Sequence, residues 1–114
     1  MKTSYYKHLN TTCLIVLDLV PYVVDAAENT YLITRISVPN RKDADGKPYR
    51  GNGYASELLR LCLKDADAEG ATLLLEVSPS DGLSFDELVA WYVRYGFKQH
   101  REHNLWIRLP RLPR

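Results

Sequence analysis

Arg50-Gly51-Asn52-Gly53-Tyr54-Ala55 is the stretch of this chain whose residue types and spacing are suited to chemistry, and what they suit is the binding of an anion. Two glycines stand within three residues, and the chain then runs directly into Ser56-Glu57-Leu58-Leu59-Arg60-Leu61-Cys62-Leu63, an apolar pattern of helical period. A helix opened by glycines leaves its first backbone N–H groups bare at the positive end of the helix dipole, the arrangement that cradles phosphate. Taken alone, the same stretch also reads as a glycine turn that does no more than start a helix. Two other phosphate motifs fail on inspection. The third glycine of a dinucleotide-binding Gly-x-Gly-x-x-Gly would fall on Ser56, and a P-loop needs Gly-Lys-Ser/Thr where Gly46-Lys47 is followed by Pro48. His100 and His103 are three residues apart, but on a strand and turn that spacing makes a poor metal site.

The elements that must position this stretch can be read outward from it. Helix is expected from about Gly53 to Glu69, with Ala55, Leu59, Cys62 and Ala66 along one stripe, widened by Leu58 and Leu63, and with Gly70 as its C-cap. Before it, Tyr31 to Val38 has strand composition and is closed by Pro39; after it, Ala71 to Val77 reads as a buried strand. Strand, helix and strand in that order make a crossover unit with parallel strands. Thr11 to Val20 is almost continuously apolar, which predicts a strand buried on both faces and ended by Pro21. Tyr22 to Asn29 fits either a short helix or more strand, and Asn40 to Tyr49 is a polar loop with an Asp45-Gly46 turn signal. Ser84 with Glu87 forms a capping-box pattern opening a second helix, whose Phe85, Leu88, Val89, Tyr92 and Tyr95 share a face and which Gly96 ends. Two short strands, Phe97 to Arg101 and Leu105 to Leu109, complete the chain. The fold class is α/β (α+β), a mixed central sheet with helices packed on it, in one domain spanning residues 1–114.

Composition bounds the partners. With 46% apolar residues, 25% charged residues and a formal net charge of +1, the chain has the balance of an ordinary globular domain rather than of a polycation. Charge is nonetheless uneven, because Arg94 to Arg114 holds six basic residues against the single acid Glu102. That end suits either a solvated strand and tail or contact with an anionic partner. Cys13 and Cys62 lie in apolar runs without partners at metal-ligand spacing, which predicts free buried thiols in a reducing compartment. The polar N-terminus has no signal-peptide core, and the run from Cys13 to Val24 is too short and too interrupted to span a bilayer, so a cytoplasmic protein with no membrane partner is expected.

Three linked features resemble the GNAT superfamily of acetyl-CoA-dependent N-acyltransferases: Val38-Pro39 ending a strand, Arg50 to Ala55 in the form Arg-x-x-Gly-x-Ala opening a helix, and Trp91-Tyr92-Val93-Arg94-Tyr95-Gly96-Phe97 closing the next helix. The order of elements from Tyr31 onward also matches the second half of that fold, so the resemblance covers about half the chain. It implies that acetyl-CoA is the cosubstrate and a primary amine the acceptor. It implies further that the strands flanking the helix splay apart, Ile36, Ser37 and Val38 on one side and Leu75 to Val77 on the other, and pair with the pantetheine arm. The diphosphate would receive N–H groups from Gly51, Asn52, Gly53, Tyr54 and Ala55, with Arg50, Arg41 and Lys42 adding charge. By the same resemblance Tyr92 is the general acid at the sulfur, a backbone N–H of Ile36 to Val38 donates to the oxyanion, and Glu76 is the best-placed base, ahead of Glu28.

The chain departs from the family pattern in three places. The family has a strand and two helices ahead of this region, whereas about thirty residues precede Tyr31, leaving the acceptor side open or completed by a second subunit, as in a homodimer. The loop from Asn40 to Tyr49 is long, and the asparagine often found seven residues before the helix tyrosine is Phe85. The competing class is a non-catalytic module of the same fold whose basic hairpin, through Arg101, Arg108 and Arg111, contacts nucleic acid or an acidic protein.

Overall fold

The computed structural model describes residues 1–10, 13–22, 29–39, 42, 45–46, 53–77, 84–100 and 105–111. Its N-terminal half is built by alternation. Strands β1 (Ser4–Asn10) and β2 (Cys13–Pro21) form an antiparallel pair, and β2 pairs antiparallel with β3 (Thr30–Ser37). Along β2, Ile15, Leu17 and Leu19 are buried while Leu14 and Val20 are exposed. The expectation of a strand buried on both faces is therefore corrected: β2 is covered on one face only, and its outward residues happen to be apolar too. β1 had no counterpart in the sequence reading, and Pro21 ends β2 as its last strand residue.

The chain then crosses through α1 (Tyr54–Glu69) to β4 (Thr72–Glu76), which is parallel to β3 as the crossover pattern requires. Leu58, Leu59, Cys62, Leu63 and Ala66 make the buried stripe of α1, and Gly70, at φ 68°, caps it by donating its N–H to the carbonyls of Ala66 and Asp67. α2 (Phe85–Arg94) opens with the expected capping box: the Glu87 N–H donates to Ser84 Oγ, and the Ser84 N–H donates to Glu87 Oε1, both at 3.2 Å. Phe85 does not join the buried face as its spacing suggested; at the first helical position it is exposed. β5 (Lys98–Gln99) and β6 (Leu105–Arg108) follow, and β6 inserts between β4 and β5 to give one six-stranded mixed sheet in the order β1-β2-β3-β4-β6-β5.

Both helices pack on the same face of this sheet. Tyr5 and Lys7 reach α1 through Asp65 (2.7 Å) and Glu57 (2.9 Å), and Trp91 of α2 donates its indole N–H to Ser56 Oγ of α1 at 3.2 Å. The core between sheet and helices is centred on Ile15, Leu17, Leu59, Cys62, Leu73, Leu75 and Phe97. Among the described residues no helix covers the opposite face, where register places Leu32, Leu74 and Ile107 side by side. Leu74 is fully buried there between its two neighbours, whereas Tyr6, Leu14 and Val20 toward the β1 edge are open to solvent.

A clasp of charge closes the far end of the helices. Arg108, only 3% exposed, donates both terminal nitrogens to Asp67 of α1 (2.8 and 2.9 Å) and its Nε to the Tyr95 carbonyl at 3.0 Å. The Arg111 N–H adds a bond to Asp67 Oδ1 at 2.9 Å. Gly96 turns the chain beneath them with φ 93°, and a side chain there would stand 2.7 Å from Arg111 Nη2. Only a residue without Cβ fits this turn without strain.

Candidate active site

The parallel pairing of β3 and β4 runs from Thr30 opposite Thr72 to Ile33 opposite Leu75 and stops. One residue later β3 carries a bulge: Asp18 faces Arg35 and Leu19 faces Ile33, so Thr34 is the additional residue, its hydroxyl donating to the Asp18 carbonyl at 3.3 Å. A bulge bends its strand and increases the local twist. Beyond it β3 stays with β2 as far as Ser37, while β4 stays with β6 as far as Glu76 opposite Leu105. The two inner strands therefore diverge, and a pocket of about 300 Å³ lies between them.

Its walls come from both sides of the sheet. Ile33, Ile36, Leu75, Val77, Leu88 and Tyr92 line it on the helix side, and Thr34, Arg35, Ser37 and Glu76 line it toward the uncovered face. The opening is thus a slot through a sheet, apolar at the helix end and polar at the other. Splaying of these strands, expected from the family resemblance, is present. Ile36 and Ser37 lie on its wall, and Val38 follows the strand end, half-buried against the core.

Tyr92 and Glu76, 16 residues apart in sequence, meet at this slot. Tyr92 is packed edge-on against Trp91 (4.9 Å between centroids) and Phe97 (5.6 Å). Those rings fix its orientation and dehydrate it, and burial pushes its phenol up to about 12. No hydrogen-bond partner meets its hydroxyl among the described residues. The group thus remains a protonated donor across the neutral range. Glu76 is an exposed carboxylate at the end of β4, without an ion-pair partner among the described residues. Arg35 is held to Asp18 Oδ2 by Nη2 (2.7 Å) and Nε (3.0 Å), and Ser4 donates to the other oxygen of Asp18 at 2.8 Å.

The anion cradle stands beside the slot. Gly53 precedes α1 in the left-handed region (φ 75°, ψ 14°), no side chain caps the helix, and the first intrahelical bond runs from the Glu57 N–H to the Gly53 carbonyl at 2.9 Å. This leaves the N–H groups of Tyr54, Ala55 and Ser56 without an acceptor among the described residues, and open space surrounds the position a Gly53 Cβ would take. The bond from Trp91 to Ser56 ties this first turn to the residue preceding Tyr92, so cradle and slot are joined by one side-chain contact. Arg50, Gly51 and Asn52, and with them Glu28 and Arg41, lie outside the described residues; Lys42 is described and exposed.

The slot and the contact that joins it to the cradle also use residues that the sequence signals did not single out. Thr34 looks like any strand residue, and nothing local marks it as a bulge. Trp91 was visible in the motif only as a neighbour of Tyr92, and Ser56 only as the residue that breaks a glycine pattern. The basic C-terminal hairpin changes character as well: Arg108 is buried in its clasp with Asp67 and is not available to a nucleic acid, Arg111 is exposed, and Arg101 lies outside the described residues. Among the described residues there is no cluster of metal-ligating side chains, and no helix is long and apolar enough to cross a membrane. Cys62 is a buried free thiol, as expected; burial first and Asp65 second push it up to about 12.

No protein-family model and no curated protein matches this chain. Among solved structures, the crystal structure of the anti-CRISPR protein AcrVA5 is similar, with a TM-score of 0.59 at 17% sequence identity over 93% of this chain and 98% of that chain. Likeness at that level of identity establishes a shared fold, the mixed sheet with helices on it.

Proposed function

We propose that this chain is an acetyl-CoA-dependent N-acetyltransferase that passes the acetyl group directly to a primary amine. The observation that carries this reading is the slot between β3 and β4, which brings Tyr92 and Glu76 to opposite ends of one opening beside the uncapped start of α1. Coenzyme A is a molecule of matching layout, an anionic diphosphate followed by an extended amide-bearing arm that ends in sulfur. The Tyr54, Ala55 and Ser56 N–H groups suit the diphosphate. The strand edges freed from Thr34 to Ser37 suit the amides of the arm, which would lie in the gap as a short extra strand.

The reaction needs a neutral amine to attack the thioester carbon, forming a C–N bond and a tetrahedral oxyanion, and then needs the C–S bond to break. Glu76, at the polar end of the slot, would draw in the cationic amine and take its proton directly or through water. A backbone N–H on Ile36 to Val38 would hold the oxyanion. Tyr92 would donate a hydrogen bond to the departing sulfur. Because a thiol ionises near ~8.5 and Tyr92 near 12, the phenol supports the thiolate by donation and does not lose its own proton to it. The amine would approach from the face that carries no helix.

Calorimetric titration of the purified protein with acetyl-CoA and with coenzyme A, beside Gly53→Asp, tests the reading. Binding by the unsubstituted protein and its loss in the variant are expected, since the carboxylate would occupy the cradle with the wrong charge. Equal affinity in both would remove the cradle assignment, and no binding by the unsubstituted protein would leave a binding module of the same fold.

A further inference from the structure

The two edges of the sheet are unlike. β5 is two residues long, with both residues exposed and one of them a lysine, which is how natural sheets blunt an edge. β1 is seven residues long, Ser4-Tyr5-Tyr6-Lys7-His8-Leu9-Asn10, and has neither proline nor acidic residue. It is also held still. Tyr5 and Lys7 are bonded to Asp65 and Glu57 of α1, so the strand cannot swing away from the body of the protein.

Backbone parity shows what this edge offers. The Leu19 N–H donates to the Thr3 carbonyl at 2.7 Å, and Ser4 stands opposite Asp18, so the bonded pairs between β1 and β2 fall on odd-numbered residues of β1. The N–H and C=O groups of Ser4, Tyr6 and His8 accordingly point outward, and no partner meets them among the described residues. On the helix-free side the same stretch presents Tyr6, which is 62% exposed and packed edge-on with His8 at 5.4 Å.

We propose that β1 pairs antiparallel with β1 of a second copy of this chain, about a two-fold axis passing through Tyr6. Parity admits neighbouring registers, and side chains choose among them. An axis at Lys7 would set two lysines face to face at the closest type of pair, and would run the ladder into the irregularity of β1 between His8 and Asn10. An axis at Tyr5 leaves only Ser4 and Tyr6 to bond. With the axis at Tyr6, Ser4 pairs with His8 in both directions and Tyr6 with its own mate, giving about six backbone hydrogen bonds, two for each bonded pair. Lys7 then faces Tyr5 instead of another lysine, and the two Tyr6 rings meet on the open side. The interface is isologous and closes at two copies. Both helix pairs stay on one face of a continuous sheet, and both slots keep their polar ends on the other. The pairing does not depend on the acyl-transfer reading.

Light scattering and disulfide trapping test it on the full chain. Mass should rise with concentration from 13.1 kDa toward twice that value. In Tyr6→Cys the two thiols would stand at a directly opposed bonded pair, where Cα atoms lie ~5.5 Å apart, within disulfide reach. Oxidised glutathione, which accepts the two electrons, should convert that variant to a linked dimer, while His8→Cys and the unsubstituted protein, which controls for Cys13 and Cys62, should stay unlinked. Tyr6→Pro removes the outward N–H together with the Tyr6 ring but no bond to β2, and should be monomeric with its strand content by far-ultraviolet dichroism retained. A protein that stays monomeric to its solubility limit, with no link in Tyr6→Cys, would overturn the proposal and leave the edge to an extended peptide of another protein. A dimer that persists in Tyr6→Pro would also overturn it.

Discussion

Removing Asp67 should harm this protein more than removing the arginine it holds. Arg108 is 3% exposed and its guanidinium makes three bonds, two to Asp67 and one to the Tyr95 carbonyl. In Asp67→Ala the cation stays buried with one bond left, and breaking a buried pair from one side costs about 3–5 kcal/mol. Asp67 is 26% exposed as a side chain, so water reaches part of the vacated space, and the lower half of that range is expected. In Arg108→Met the long apolar stem is kept, the charge is gone, and the abandoned carboxylate is hydrated from its exposed side; a loss of about 1–2 kcal/mol follows. Urea unfolding followed by tryptophan fluorescence measures both, against a total stability on the order of 5–15 kcal/mol for a domain of this size. The pair should also respond to acid. Arg108 hydrogen bonds, with the Arg111 N–H, hold Asp67 below its ordinary carboxyl value, so its contribution is complete above about 4 and is lost as pH falls through the depressed value. The stability gap between the unsubstituted protein and Asp67→Asn should therefore narrow in acid. Equal losses in Asp67→Ala and Arg108→Met, or a gap unchanged by acid, would refute the reasoning.

Three further outcomes can be measured independently. On the acyl-transfer reading proposed above, Tyr92→Phe should lower kcat about 10- to 100-fold with the KM for acetyl-CoA nearly unchanged, because only the proposed hydrogen bond to the leaving sulfur is removed; undiminished turnover would end that role. Stability should decline in base: Cys62 and Tyr92 ionise near 12 in the folded chain against 9.0 and 10.0 ordinarily, so the unfolded chain loses its protons first and is favoured between about 9 and 12. A flat profile there, or one as steep in Cys62→Ala, would contradict the burial of the thiol. Gly96→Ala should cost about 1–3 kcal/mol in thermal unfolding, from positive φ and from displacement of the Arg111 side chain 2.7 Å away; a neutral effect would mean that the clasp gives way freely.

Local signals carried much of the fold. The α1 stripe with Gly70, the Ser84–Glu87 box and the strand-helix-strand order each depend on residues close in sequence, and each appears in the structure, except that Ala55 at the start of α1 is only half-buried. What escaped depends on distant partners. Arg108 looked like a surface cation because its carboxylate sits on α1, far away in sequence. β2 looked doubly buried because its outward Leu14, Val16 and Val20 are as apolar as its inward residues. β1 was missed because Tyr5 is its only fully buried residue and Leu9 its only aliphatic one, the rest being of polar and aromatic types. Of the candidate site, Tyr92 and Gly53 are singled out by motif and Glu76 by its place at a strand end. The slot was not, since it arises from where two ladders stop pairing.

That stopping point has a hereditary side. Thr34 is one residue more than β2 requires, and β3 leaves β4 immediately after it. The bend of β3 at this point is therefore a matter of strand length by a single codon, separable from the side chains that line the slot. In-frame deletion of that codon would remove the bulge and restore continuous register between β2 and β3 while Tyr92, Glu76 and the start of α1 kept their identities. Such a chain would keep every motif while β3 lost the bulge that bends it where it leaves β4, so a one-residue gap here carries information that the aligned letters do not.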